Sequence, residues 1–167
     1  RLSPSGSSAS VLASHLNTEE KPSRSDVQTE RRQLGEVADV FVGLPTKQSH
    51  LKEYGPSGNV LTVRALREFG IDREQLVHVR LNQNEIAKYR ASPGDLVLSA
   101  RSTSLKMGII PQDLDGVFIN ATLMAIRPSG CLEPRFLAAY LSHPEGHASI
   151  ASVAQSSTGQ MNLTVHA

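Results

Sequence analysis

The chain has 167 residues, a single Cys and a formal net charge of +1, which suits one domain with a tail and gives no global field to draw in a polyanion. Apolar residues make up 39% and aromatics 4%, with no Trp, so any core must be built from Leu, Val, Ile and Ala. Cys131 alone excludes an internal disulfide and a multi-cysteine zinc site and fits a reducing compartment. No run is apolar enough to span a bilayer and no signal-peptide core opens the sequence, so the reading is a cytoplasmic protein without membrane contact.

Residues 1–32 are rich in Ser and charge and poor in large apolar groups. Such a segment can bury little surface, and it is expected to be a flexible polar arm, with Ser25-Asp26 able to start a short helix through Arg32. Its Arg24, Arg31 and Arg32 are offset by Glu19, Glu20 and Glu30, which is the composition of a solvated linker more than of a phosphate-binding arm.

Residues 33–167 carry the pattern of a folded domain. Leu34 to Gly43 reads as a strand closed by glycine, and Leu44 to Gly58 as a loop broken by Pro45, Gly55 and Pro56. Asn59–Val63 reads as a second strand and Leu66–Phe69 as a turn of helix. Leu76–Leu81 alternates like a strand with one wet face. Further strands are expected at Asp95–Ala100, Met107–Ile110, Val117–Ile119 and Leu123–Arg127. After Pro128 the periodicity changes. Pro134 sits at a first helical position, and Phe136, Leu137, Tyr140 and Leu141 follow at helical spacing. A second helix is expected over Glu145–Ala154, broken by the polar run from Gln155 to Gln160. Strands followed by helices give an α+β order: a twisted mixed or antiparallel sheet with a few packed helices.

Several enzyme signatures are missing from the sequence: a G-x-S-x-G elbow, a glycine-rich phosphate loop with Lys-Ser/Thr, and a dinucleotide fingerprint after a strand. His143-Pro144-Glu145-Gly146-His147 places two His four apart, a spacing that can grip zinc on a helix. Pro and Gly between them, with no third ligand, make an exposed inter-helix turn the simpler reading. Cys131 has no His or Asp beside it to activate a thiol and reads as a small turn residue. No cofactor and no catalytic group is assigned.

Three polar stretches carry the remaining chemistry. The first follows Gly94-Asp95-Leu96-Val97-Leu98-Ser99-Ala100 and holds Arg101, Ser102, Thr103, Ser104 and Lys106. Hydroxyls donate to phosphate oxygens, and a guanidinium can fork onto guanine O6 and N7. Between Lys88 and Lys106 the charges are Lys88, Arg90, Arg101 and Lys106 against Asp95, a local basic excess on a near-neutral chain. The second stretch is Gln155 to Asn162, with Ser157, Thr158 and Gln160. The third runs from Pro45 to Lys52 and includes Thr46 and Lys47. Each alone reads as a solvated loop. Together their chemistry suits a polyanion and suits catalysis poorly.

The order of these pieces resembles the target recognition domain of the DNA specificity (S) subunit of type I restriction-modification enzymes. The likeness runs from Leu34-Gly35-Glu36-Val37-Ala38-Asp39-Val40 through Gly43 and Pro45-Thr46-Lys47, then Asn59–Val63 and Gly70-Ile71-Asp72. Its clearest part is Pro93-Gly94-Asp95-Leu96-Val97-Leu98-Ser99-Ala100-Arg101, with Lys106 and Ile109-Ile110-Pro111 after it. It closes on Glu133-Pro134-Arg135-Phe136-Leu137 and Ser157-Thr158-Gly159-Gln160-Met161-Asn162-Leu163. Ser102 and Leu105 stand where that family commonly has glycine. The resemblance implies a single non-catalytic domain reading half of a split target in double-stranded DNA. It implies a DNA methyltransferase (modification) subunit and a restriction/translocase subunit as partners, and it leaves a homodimer open. On this resemblance the DNA-binding residues are Arg101, Ser102, Thr103, Ser104, Lys106, Thr46, Lys47, Ser157, Thr158 and Gln160. Complete specificity subunits resemble two such domains joined by long helices, so this length reads as half a reader, a fragment or a diverged single-domain relative. A module that docks a methyltransferase without touching DNA is the alternative.

Overall fold

Two apolar runs, Leu96-Val97-Leu98 and Leu123-Met124-Ala125-Ile126, are buried along their whole length, and the fold is arranged to cover them. The computed structural model describes residues 30–45, 57–80, 87–102, 104–130, 132–157 and 160–163, with backbone alone at 57, 102, 155–157 and 160–161. Most of the polar arm expected over residues 1–32, and Cys131, therefore lie outside the described residues, and Arg32–Ala167 forms one unit.

The first buried run is strand β7 (Leu96–Ser99) and the second opens strand β11 (Leu123–Pro128). With β1 (Ala38–Val42) and β9 (Met107–Ile109) they make an antiparallel sheet in the order β1-β11-β7-β9. Leu96 lies opposite Ile126, Val97 opposite Ala125 and Leu98 opposite Met124. Side chains alternate across a strand. Leu96, Leu98, Met124 and Ile126 therefore turn to one core with Leu137, Ala138 and Leu141, while Val97, Leu123 and Ala125 turn to another with Leu61, Ile110, Val117 and Ile119.

The first core is roofed by α2 (Pro134–Ser142), which starts on proline as expected, with α3 (Pro144–Val153) following it. The second core is closed by a mixed sheet in the order β5-β2-β10-β6. Its strands are β2 (Ser57–Leu61), β5 (Val77–Arg80), β6 (Arg90–Ala91) and β10 (Val117–Ile119), with β2 and β10 parallel. A hairpin of β3 (Leu66–Arg67) and β4 (Gly70–Ile71) completes this side. The α+β class read from the sequence is the class observed.

Local departures have physical causes. Leu34–Val37 is a single helical turn, α1, where a strand was expected. Its would-be partner β11 ends at Pro128, opposite Ala38, and the Ser129 backbone N–H and hydroxyl both donate to the Val37 carbonyl, at 2.8 and 2.7 Å. Val63–Ala65 is a short 3-10 turn, so the expected strand there stops at Leu61. Leu66–Phe69, expected as helix, is a strand and a hairpin turn, with Phe69 at φ 58.

One polar anchor fixes where β7 begins. Ser92-Pro93-Gly94-Asp95 is a turn with the Asp95 N–H donating to the Ser92 carbonyl at 3.0 Å. Gly94 holds φ +88, which the third position of a type II turn demands and a side chain would strain. The Asp95 carboxylate is 3% exposed and receives a fork from Arg127: Nε to Oδ1 at 2.9 Å and Nη2 to Oδ2 at 2.8 Å. The Ser92 N–H adds a third bond at 2.8 Å. Bonding to Asp95 holds the Arg127 guanidinium still further above its already high range. Asp95→Ala would remove the acceptor of three hydrogen bonds, the two of the Arg127 fork and the one from the Ser92 N–H. With Arg127 41% exposed, solvent screening reduces the cost from that of a fully buried pair to about 2–3 kcal/mol, read as a lower urea midpoint at unchanged slope.

Candidate nucleic-acid interface

The chain leaves the central sheet at Ala100. Its N–H donates to the Thr122 carbonyl at 2.9 Å, and its own carbonyl accepts from the Leu163 N–H at 2.9 Å. Beyond it, Arg101–Ser102 forms strand β8. This pairs antiparallel with β13 (Gln160–Asn162), which pairs with β12 (Gln155–Ser157). Arg101 lies opposite Asn162, Ser102 opposite Met161 and Ser157 opposite Gln160. The polar run after α3, expected as a helix-breaking loop, is thus a hairpin, and it is joined to the Arg101 stretch in one small sheet.

Ser99 closes the neck of the Arg101 hairpin. Its N–H donates to the Lys106 carbonyl at 2.8 Å. Its hydroxyl donates to the Ser104 carbonyl at 3.1 Å and accepts from the Lys106 N–H at 2.9 Å. Arg101, Ser104 and Lys106 are exposed around this neck. Among the described residues neither Arg101 nor Lys106 has an ion-pair or hydrogen-bond partner for its side chain, whereas Arg67, Arg73 and Arg127 are tied to Asp72, Asp113 and Asp95. The acid counted against this basic run, Asp95, is thus buried under Arg127. Lys88, in the 3-10 turn Ala87–Tyr89, and Arg90, on β6 of the second sheet, are the other two cations of the run and lie over Tyr89 and Phe118, at 5.0 and 5.5 Å from the ring centroids. The basic excess is thus divided between the Arg101 hairpin and the segment around β6.

The third polar stretch starts from the same place. Thr46 and Lys47, like Thr103 and Thr158, lie outside the described residues. The root of that stretch does not. The Leu44 N–H donates to the Ile119 carbonyl at 2.7 Å, the Gly43 N–H to the Leu123 carbonyl at 3.0 Å, and Leu44 bridges Asn120. The turn from Asn120 to Thr122 is therefore a hub. Gly43 and Leu44, which lead into the stretch after Pro45, are bonded to it, the Arg101 hairpin meets Thr122 by way of Ala100, and the Gln155–Asn162 hairpin returns to Ala100 through Leu163. Asn120 stiffens the turn: its Oδ1 accepts from the Thr122 hydroxyl at 2.6 Å and N–H at 3.2 Å.

Two residues escaped the sequence reading as individuals. Asn162 was noticed only as part of a polar run, yet register sets it opposite Arg101. Ser99 was read only as part of the expected strand Asp95–Ala100. The available signal was a hydroxyl terminating an otherwise apolar run. Of the His pair expected in an inter-helix turn, only His143 lies between the helices, as the N-cap residue of α3; that helix runs on through Pro144 and Gly146 to include His147, and both His are exposed. Among the described residues no three His, Cys, Asp or Glu gather as a metal site, and no helix is long and apolar enough to cross a membrane.

No family model and no curated protein matches this sequence. Solved structures do share its fold. One is a chain from a type I R-M system, described for its complex assembly and conformational transition. It is 23% identical, with a TM-score of 0.51, over 71% of this chain and 28% of that one. Another is the HsdS subunit from Thermoanaerobacter tengcongensis, 22% identical with a TM-score of 0.50 over the same shares. The fold resemblance read from the sequence thus recurs in three dimensions, and this chain corresponds to less than a third of the length of each structure.

Gly43 is where the hub tolerates no side chain. A Cβ there would stand 2.0 Å from the Asn120 carbonyl oxygen and 2.5 Å from that of Ile119, backbone atoms that cannot swing aside. Gly43→Ala is expected to cost about 2–3 kcal/mol by overpacking, measured by denaturant unfolding. A cost near zero would mean that the Gly43–Asn120 contact does not hold the hub.

Proposed function

We propose that residues 33–167 are a target recognition domain that reads double-stranded DNA as part of a type I restriction-modification specificity subunit, and that the chain catalyses nothing itself. The observation that carries this reading is the common root of three polar stretches distant in sequence. Arg101–Ser102 and Gln160–Asn162 pair in one sheet, and Gly43 and Leu44, which lead into the stretch holding Thr46 and Lys47, are bonded beside the turn that Ala100 also meets. A duplex presents phosphates and base edges over a broad surface, and reading it takes several donor-bearing tips on one rim. Arg101 and Lys106 supply cations that no acid of the described residues neutralises. Arg101 is assigned to guanine or phosphate, Lys106 to phosphate and Gln160 to a base edge. Ser102, Thr103, Ser104, Ser157, Thr158, Thr46 and Lys47 are assigned as further donors.

In this reading separate modification and restriction/translocase subunits carry the chemistry, in the cytoplasm, and the domain tells them where to act. The alternative, a module that docks a methyltransferase without contacting DNA, draws on Phe136 and Tyr140 of α2, 64% and 42% exposed and one helical turn apart. The two readings separate on one measurement, retardation of random duplexes at two salt concentrations. Binding at low salt that weakens steeply with added salt supports DNA reading. No retardation by folded protein ends it and leaves the docking module.

Two substitutions refine the test. Arg101→Ala is expected to cost about 1–3 kcal/mol on the preferred duplex and to relax specificity at one base pair if the guanidinium forks onto guanine. Lys106→Ala is expected to weaken all duplexes alike and lower the slope of log affinity against log salt by about one. Both are read by titration of a duplex selected from a random pool alongside a scrambled one.

A further inference from the structure

We propose that Ser99 is a positioning residue for DNA recognition: its buried hydroxyl sets the shape of the Arg101–Lys106 hairpin and through it the discrimination between sequences. The inference rests on the DNA reading above. Ser99 is 0% exposed, so it meets no ligand. Its role follows from what its neighbour does. An antiparallel ladder would keep pairing β7 with the return arm, but Ala100 spends its N–H on Thr122 and its carbonyl on Leu163. The return arm then meets a strand that has turned away. The Ser99 hydroxyl takes up two of its backbone groups at once, the Ser104 carbonyl and the Lys106 N–H.

Those bonds fix the arm that bears Lys106 against the strand end that bears Arg101. The same Ala100 that diverts the ladder ties the hairpin to Leu163, the residue after Asn162. Loss of the hydroxyl therefore leaves every DNA-facing group in place and, of the three Ser99 bonds across the neck, only that from its N–H to the Lys106 carbonyl, which loosens the angle between them. Phosphate contacts tolerate such slack because a cation can reach neighbouring oxygens. Bidentate base contacts do not, because they need fixed geometry.

The test compares wild type with Ser99→Ala and Ser99→Cys, the latter keeping the side chain's shape with a poor hydrogen-bonding atom. Circular dichroism and a thermal melt establish folding, and Ser99→Cys carries the test if Ser99→Ala does not fold. The duplex is the one wild type selects from a random pool. The expected result is a roughly tenfold or greater fall in the ratio of affinities for selected over scrambled duplex. The salt slope stays as in wild type, because no phosphate contact is removed, and amide exchange at Lys106 accelerates while Leu98 and Ile126 stay protected. A merely structural role would lower the melt without moving that ratio. A ratio within twofold of wild type in a folded variant overturns the assignment and leaves the DNA reading standing. A wild type that selects no duplex overturns the DNA reading and this inference with it.

Discussion

Burial of β7 on both of its faces is the constraint from which the rest of the molecule follows. Leu96 and Leu98 lie in one core, Val97 in the other, with β11 and β9 on either side. A strand so enclosed has no solvent in which to satisfy polar groups, so any it carries must find partners within the protein. Among the described residues the polar or charged residues that are buried are two, Asp95 and Ser99, and they stand at the two ends of this strand. Each is spent on a turn. Asp95 takes Ser92 and Arg127 and fixes where the strand starts. Ser99 takes Ser104 and Lys106 and fixes where the chain may leave.

The departure point then sets the geometry of the polar rim. Ala100 bonds to the turn between β10 and β11 on one side and to the end of β13 on the other. That turn also carries Leu44 and lies against Gly43. The Arg101 and Gln160–Asn162 stretches, and the Gly43–Leu44 lead into the third, are thereby referred to one frame. The strands of the rim sheet are only two or three residues long, too short to persist alone, so its existence depends on the buried strand beneath it.

This division explains which parts could be read from the sequence. β7 and β11 were legible because burial on both faces writes a continuous apolar run, and α2 because Pro134 opens it and Leu137 and Leu141 recur at helical spacing. The hairpin of Gln155–Ser157 and Gln160–Asn162 was not legible as strand. Its residues are polar but for Met161, and the strand that extends it, β8, is far away in the chain. The same holds for Leu34–Val37, whose helical turn is dictated by where Pro128 ends the opposite strand. The pairing of Arg101–Ser102 with Met161–Asn162, and the bonds of Ser99 beneath it, are tertiary hydrogen bonds that leave no local pattern.

A frame with its polar specification concentrated at two buried side chains leaves the rim free to differ. Arg101, Ser104 and Lys106 are exposed, and exchanges at such positions usually shift stability by no more than about 0.5 kcal/mol. Their placement relative to one another is held from below, by Ser99 and Ala100, through bonds to backbone atoms that any side chain at those positions would preserve. The chemistry displayed can therefore change while the geometry of display stays put. The converse change, at Ser99, Asp95 or Gly43, keeps the chemistry and loses the geometry. On the proposed reading, in which this surface tells one polymer sequence from another, the second loss is the graver, since discrimination depends on angles between donors more than on their number.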